Sequence, residues 1–343
     1  MSPAPEVTER VDVDLLVVGA GPTGLFASYY AGFRGLRVAV VDSLPEPGGQ
    51  VNAMYPEKQI YDIAGFPSVR GRELVDRLLE QAAPFEPVYL LGHRADELER
   101  HAGEDGGPGS FTITTHRGTR VVAKSVIITG GIGTFTPRPL PAAAEFEGNG
   151  MAYFVREPRE YAGRDVVIVG GGDSAFDWAQ ALHPLANSVT MVHRRDTFRA
   201  HPGTVAAVRA SGVEIITNAQ ISQVIGDGVI ESVEVSGGDT RRLPCQRIIA
   251  ALGFTANLGP LLRWGIRVDN RRHIPVDSAM QTNIDGIFAA GDINDYHGKV
   301  RLIAVGFGEA ATAVNNAAHH LDPAQPVFPG HSTDSTAAES AAA

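Results

Sequence analysis

Two glycine turns carry most of the chemistry that can be read from this chain. The first, Gly19-Ala20-Gly21-Pro22-Thr23-Gly24, follows the apolar run LLVV; the second, Gly170-Gly171-Gly172-Asp173-Ser174-Ala175, follows VVIV. Each opens an Ala-rich stretch that reads as a helix, and each helix is followed by a second apolar run. In such a strand–turn–helix the first glycine permits a tight turn and the second lets a pyrophosphate approach the backbone. The third glycine, or an alanine in its place, lets helix and strand pack closely. Free amides and the helix dipole at the turn then favour the phosphate charge.

The two turns part company where the next strand ends. In the first, Asp42 stands there, a carboxylate able to accept hydrogen bonds from the hydroxyls of an adenosine ribose. At the same offset from Gly170 stand His193, Arg194 and Arg195, with Arg199 shortly after. A carboxylate at that position repels a 2′-phosphate, whereas guanidinium forks bind one through charge-assisted, often bidentate hydrogen bonds. The second turn therefore calls for NADP(H). A third signal, GIFAAGDIN from Gly286 to Asn294, is a short apolar strand ending in a Gly–Asp turn. Beside the first turn, its Asp292 is suited to the ribityl chain of a flavin, which makes FAD the cofactor of the first site.

Sulfur contributes little. Cys245 is the single cysteine, so one chain can form no disulfide, no CxxC redox pair and no thiolate zinc site. Within LPCQRIIAALG it reads as a buried small hydrophobe. His201, His273 and the pair His319–His320 read as surface histidines without metal-ligand spacing.

Positioning these residues takes more than one core. A chain of 343 residues with 43% hydrophobic content supports about two domains. Each glycine turn sits in a βαβ unit, which demands a parallel sheet with right-handed crossovers. The fold class is α/β, with two Rossmann-like three-layer ββα dinucleotide-binding domains. Because the second turn lies between the first and GIFAAGDIN, the NADPH domain, residues 129–253, is inserted into a discontinuous FAD domain, residues 1–128 plus 254–343. After GDIN the chain reads as a loop running into a helix that begins near Gly308, and the closing DSTAAESAAA reads as a low-complexity disordered tail.

A net charge of −10 argues against general binding to nucleic acid or anionic membranes. The apolar runs are far short of the ~20 residues a membrane span needs. The polar, acidic N-terminus has no secretion-signal pattern, which leaves the cytoplasm as the default location.

The order of these motifs, with GGGDSA, HRR and AAGD, resembles the low-molecular-weight thioredoxin reductases along nearly the whole chain, but their CxxC is missing from GMAYFVREPREYAGRDVVIVGGG. GGQ…YPEKQIYDIAGFP (Gly48 to Pro67), GDINDYHGKVRLIAVGFGEAATAVNN and the late HST (His331 to Thr333) are more similar to thioredoxin-reductase-like ferredoxin–NADP reductases. That resemblance implies a homodimer passing electrons between NADPH and ferredoxin or flavodoxin. It implies that Tyr55 stacks on one face of the flavin, that Gln50, Asp62 and Thr333 fall in flavin-lining segments, and that His331 covers the other face from the partner subunit. With no dithiol to receive them, electrons arriving as hydride would leave singly toward a protein carrier. An NADPH-dependent diaphorase acting on quinones or free flavins is the alternative. Because such carriers are typically acidic, docking calls for a locally basic rim, for which Lys58, Arg70, Arg72 and Lys299 are candidates.

Overall fold

The computed structural model describes residues 9–103, 108–237 and 240–331. The chain divides into two compact units, one of residues 1–134 with 256–343, the other of residues 135–255. The first crossing falls later than the expected 128/129 boundary. Thr129 still belongs to the first unit: its N–H and hydroxyl donate to the carbonyls of Val18 and Gly19, both at 2.8 Å. Among the described residues there are six α-helices: α1 Pro22–Phe33, α2 Gln50–Met54, α3 Gly71–Ala82, α4 Asp173–Leu182, α5 Pro202–Ala210 and α6 Ile303–Leu321.

In the first unit, Arg10–Val18 is the central strand. It pairs in parallel with Val38–Asp42 on one side and Arg120–Ile128 on the other. Val88–Leu91 extends the sheet beyond Val38–Asp42, also in parallel. Arg120–Ile128 then divides its free edge. Its first half pairs antiparallel with Ser110–Thr115, and its second half pairs in parallel with Ile287–Ala289. The strand of GIFAAGDIN, distant in sequence, thereby joins the same sheet as the first glycine turn. Side chains alternate between two cores. From Leu15 onward, Leu15 and Val17 join a cluster with residues of α1, α3 and α6, while Leu16 joins one with Trp264, Ile266 and Phe111. A strand segment buried on both faces is apolar without alternation, as LLVV (residues 15–18) is.

The second unit repeats the plan. Its parallel sheet runs Met151–Ala152, Arg247–Ala250, Asp165–Val169, Ser188–Val192, Glu214–Ile216. Val167 and Val169 face one core, and Val166 and Ile168 the other, with α4 packed through Phe176, Ala179 and Leu182. A separate antiparallel sheet of Gln220–Ile225, Ser232–Ser236 and Arg241–Pro244 completes the unit.

Helix α6 starts at Ile303, earlier than the position near Gly308 expected from the sequence. Gly306 is a packing site and not a breaker: a Cβ there would come within 2.5 Å of Thr23 Oγ1. No helix among the described residues is long and apolar enough to cross a membrane. The closing DSTAAESAAA, and Thr333 before it, lie outside the described residues.

Candidate functional site

The first glycine turn divides its tasks among its residues. Gly19 has φ +118°, a conformation that side chains rarely adopt, and a Cβ there would press on the backbone of Thr129. A Cβ at Gly24 would run into the carbonyl oxygen of Gly19, so only glycine lets α1 leave the strand this closely. Gly21 differs: its φ of −71° suits any residue, and nothing lies within 4 Å of where a Cβ would stand. The space beside it is kept open by the absence of a side chain. Gly21 caps α1 without a side-chain hydrogen bond, Pro22 takes the first turn, and no acidic residue stands in that turn. The orphan amides of this helix end lie beside that open space, an arrangement that suits a pyrophosphate. FAD is therefore a chemically fitting occupant.

Asp42 is buried beneath the turn. Its carboxylate accepts from the N–H of Ala20 at 2.6 Å and of Leu44 at 2.8 Å. Burial pushes its carboxyl up from the usual range, while those two donors pull it down. It thus buckles the glycine turn to the strand end and keeps further lone pairs for a ribose.

The Gly–Asp turn comes to the same place. Gly291, with φ +82°, lies so close to Thr23 that a Cβ would stand 2.9 Å from its hydroxyl oxygen. Asp292 is half-buried. Tyr55, half-buried at the end of α2, has its phenol pushed up to about 12, first by burial and then by the negative charges of Asp292 and Asp62. Tyr55, Asp62 and Asp292 thus gather in one neighbourhood. Gln50 opens α2, and its Nε2 would be 2.8 Å from a Cβ at Gly131, which sets it beside the segment following Thr129. His331 is exposed and meets the ring of Phe328 edge-on at 5.3 Å.

The second turn is built alike and charged oppositely. Gly172 faces open space, as Gly21 does. Gly171 is required for another reason: the His193 ring folds back over it, and a Cβ would stand 2.5 Å from that ring. Burial holds the His193 imidazole below its ordinary value, with the charges of Arg194 and Arg195 adding to the effect. The loop that carries the arginines is tied to the turn by its backbone. The N–H of Arg199 donates to Gly171 O at 2.8 Å, and that of His201 to Asp173 Oδ1 at 2.8 Å. Arg194, Arg195 and Arg199 are exposed, as are Asp173 and Ser174 at the start of α4. None of the three arginines forms an ion pair among the described residues. An exposed trio of unpaired guanidiniums beside an open glycine turn fits the 2′-phosphate and pyrophosphate of NADP(H).

Some residues stand elsewhere than expected. Lys299 is no part of a basic rim: its side chain is 2% exposed and paired with Glu309. Arg70 and Arg72 are exposed but share Glu57, at 3.5 and 3.3 Å, which offsets their charge. His273, His319 and His320 are half-buried rather than superficial; His319 Nδ1 lies 2.7 Å from Gln325 O, and His320 Nδ1 3.5 Å from Asp285. Cys245 is fully buried, and burial pushes its thiol up to about 12. The sequence offered no sign of Thr129 as the ceiling of the first turn or of the polar group around Glu309, because both act through contacts between distant segments.

Residues 13–317 match the pyridine nucleotide-disulphide oxidoreductase family. The chain is 62% identical over 325 residues to a ferredoxin–NADP reductase of Nocardioides sp. (strain ATCC BAA-499 / JS614), covering 94% of this chain and 98% of that relative. A ferredoxin–NADP reductase of Salinispora arenicola is 60% identical over 94% of this chain and 99% of its own length. Among solved structures, T. acidophilum thioredoxin reductase superposes with a TM-score of 0.73 at 26% identity, over 90% of this chain and 98% of that one. The chain belongs to the pyridine nucleotide-disulphide oxidoreductase family, with ferredoxin–NADP reductases as near relatives.

Proposed function

We propose that this chain is a ferredoxin–NADP reductase that holds FAD in its first unit and NADP(H) in its second, and exchanges electrons with ferredoxin or flavodoxin. One observation carries the proposal: two glycine turns of like geometry end in opposite charge, Asp42 at one and Arg194 with Arg195 at the other, in a chain whose single cysteine is sealed in a core. The name shared by relatives of 57–62% identity supports the choice of carrier.

Bound flavin supplies hydride acceptance from a nicotinamide and release of electrons one at a time. The chain's residues bind and orient. The α1 amides and the space at Gly21 take a pyrophosphate, and Asp42 accepts from the ribose. Asp292, Gln50 and Asp62 line the remainder, with Thr333 assigned by resemblance. Tyr55 presents an aromatic face and keeps its proton, so it acts by stacking and polarity. On the second unit, Gly171, Gly172, Asp173 and Ser174 frame the pyrophosphate cradle, while His193, Arg194, Arg195 and Arg199 surround the 2′-phosphate position. The proposal includes a cytoplasmic homodimer in which His331 reaches across to the other subunit's site.

Purified protein should be yellow, carry FAD, and bleach on anaerobic addition of NADPH. Cytochrome c reduction by NADPH should rise on adding ferredoxin or flavodoxin. Bleaching without any carrier stimulation would replace this reading with a diaphorase acting on quinones or free flavins. A protein binding no flavin would end it.

A further inference from the structure

Beneath the Gly291–Asp292 turn lies a buried ion pair. The side chains of Lys299 and Glu309 are 2% and 4% exposed. Lys299 Nζ donates to the Gly291 carbonyl at 3.0 Å and to Glu309 Oε1, and stands 5.5 Å from the centre of the Tyr296 ring. Glu309 Oε2 accepts from the Gly291 N–H at 2.8 Å and from Asn294 Nδ2 at 3.2 Å, while Oε1 accepts from the Tyr296 hydroxyl at 2.7 Å. The two ends of one ion pair thus hold both backbone polar groups of a single residue, the one directly before Asp292.

Stability alone gives no reason for such a pair, since well-packed apolar residues of similar volume often serve as well. An apolar cluster, however, cannot fix the direction of a peptide. Gly291 sits at φ +82° and carries no side chain, so its own preferences do little to hold it there. Helix α6 brings Glu309 to this turn and also sets Gly306 against Thr23 and Gly291, where a Cβ would stand 2.5 Å from Thr23 Oγ1 and 3.5 Å from Gly291 Cα. We propose that Lys299 and Glu309 are positioning residues for the flavin site: the pair clamps Gly291, and so holds Asp292 beside Tyr55 and against the first glycine turn. This deepens the flavin-binding proposal and rests on it.

The test compares wild type with Lys299→Met and with Lys299→Met/Glu309→Gln, each as purified full chain. FAD affinity is measured by reconstitution of the apoprotein, and amide exchange is followed in the segment 287–294 and in the strand 10–18. Both variants should lose FAD affinity by ~10–100-fold, the range seen when the outer partners of a metal site are removed. Exchange should rise in 287–294 while 10–18 stays as in wild type. If Lys299→Met fails to fold because it strands a buried carboxylate, the double variant decides, since it strands none. A folded variant with wild-type FAD affinity would overturn the positioning role, and so would exchange raised equally in both segments. Wild-type protein that binds no flavin would overturn the cofactor proposal as well, which separates the two failures.

Discussion

Replacing Arg194 and Arg195 with alanine isolates the reason for two different strand ends in one chain. Both side chains are exposed and, among the described residues, unpaired, so their removal should change folding stability by no more than about 0.5 kcal/mol. A hydrogen bond to a charged group contributes ~1.5–3 kcal/mol, and solvent screening at an exposed site favours the lower figure. Since 1.4 kcal/mol is about tenfold, each single replacement should lower kcat/KM for NADPH by about tenfold. The double replacement should lower it on the order of 100-fold, because Arg199 alone remains in the cluster. NADH lacks the 2′-phosphate and should be affected no more than about twofold. Rising salt should shrink the NADPH penalty, as it does for any exposed charge pair. Steady-state kinetics with both coenzymes at low and high ionic strength measures all of this. Equal losses for NADH and NADPH would refute the 2′-phosphate role, as would an unchanged NADPH value in the double variant.

The remaining predictions concern the first unit and the buried thiol. Gly24→Ala forces a Cβ onto the Gly19 carbonyl and should destabilise by about 3 kcal/mol, the upper end for overpacking, with a matching fall in thermal midpoint. Gly21→Ala meets no protein atom and should keep the apoprotein's thermal midpoint while losing FAD affinity; retained affinity would show that nothing occupies the space beside it. Tyr55→Phe keeps the ring and should leave the bound-flavin spectrum nearly unchanged, whereas Tyr55→Ser should raise flavin fluorescence; identical emission from both variants would remove Tyr55 from the flavin face. Cys245 is raised from 9.0 to about 12 when folded, so the native state binds that proton more tightly than the unfolded chain. Its contribution to stability is therefore present below pH 9 and lost as pH rises through about 12. Native protein should resist a thiol reagent at neutral pH and react at one thiol per chain once unfolded; rapid native labelling would contradict the burial.

Much of the site could be read from local pattern because its physics is local. A strand, a glycine turn and a helix start form one contiguous stretch, so the separate tasks of Gly19, Gly21 and Gly24 can be read from their spacing. The distinction between Asp42 and Arg194–Arg195 needed only a count along the chain. Other residues resisted for a contrary reason. Lys299 looks in sequence like any loop lysine following Gly298, and nothing nearby foretells that Glu309 will arrive from the second turn of α6 to neutralise it. Arg70 and Arg72 look like free cations until Glu57 is found between them. The sequence reading starts this helix near Gly308, and only contact with Thr23 explains why Gly306 sits inside α6.

What the amino-acid order determined by itself was the set of βαβ units, their apolar strands and the charge that stands at the end of each unit's second strand, since these follow from neighbours along the chain. Only the tertiary structure decided that Gly306 packs against Thr23 inside α6, that the Asp292 strand joins the sheet bearing the first turn, and that a lysine is buried beneath it. Those outcomes depend on segments that meet only after folding, where a side chain's surroundings, and not its type, decide whether its charge faces water or holds a backbone in place.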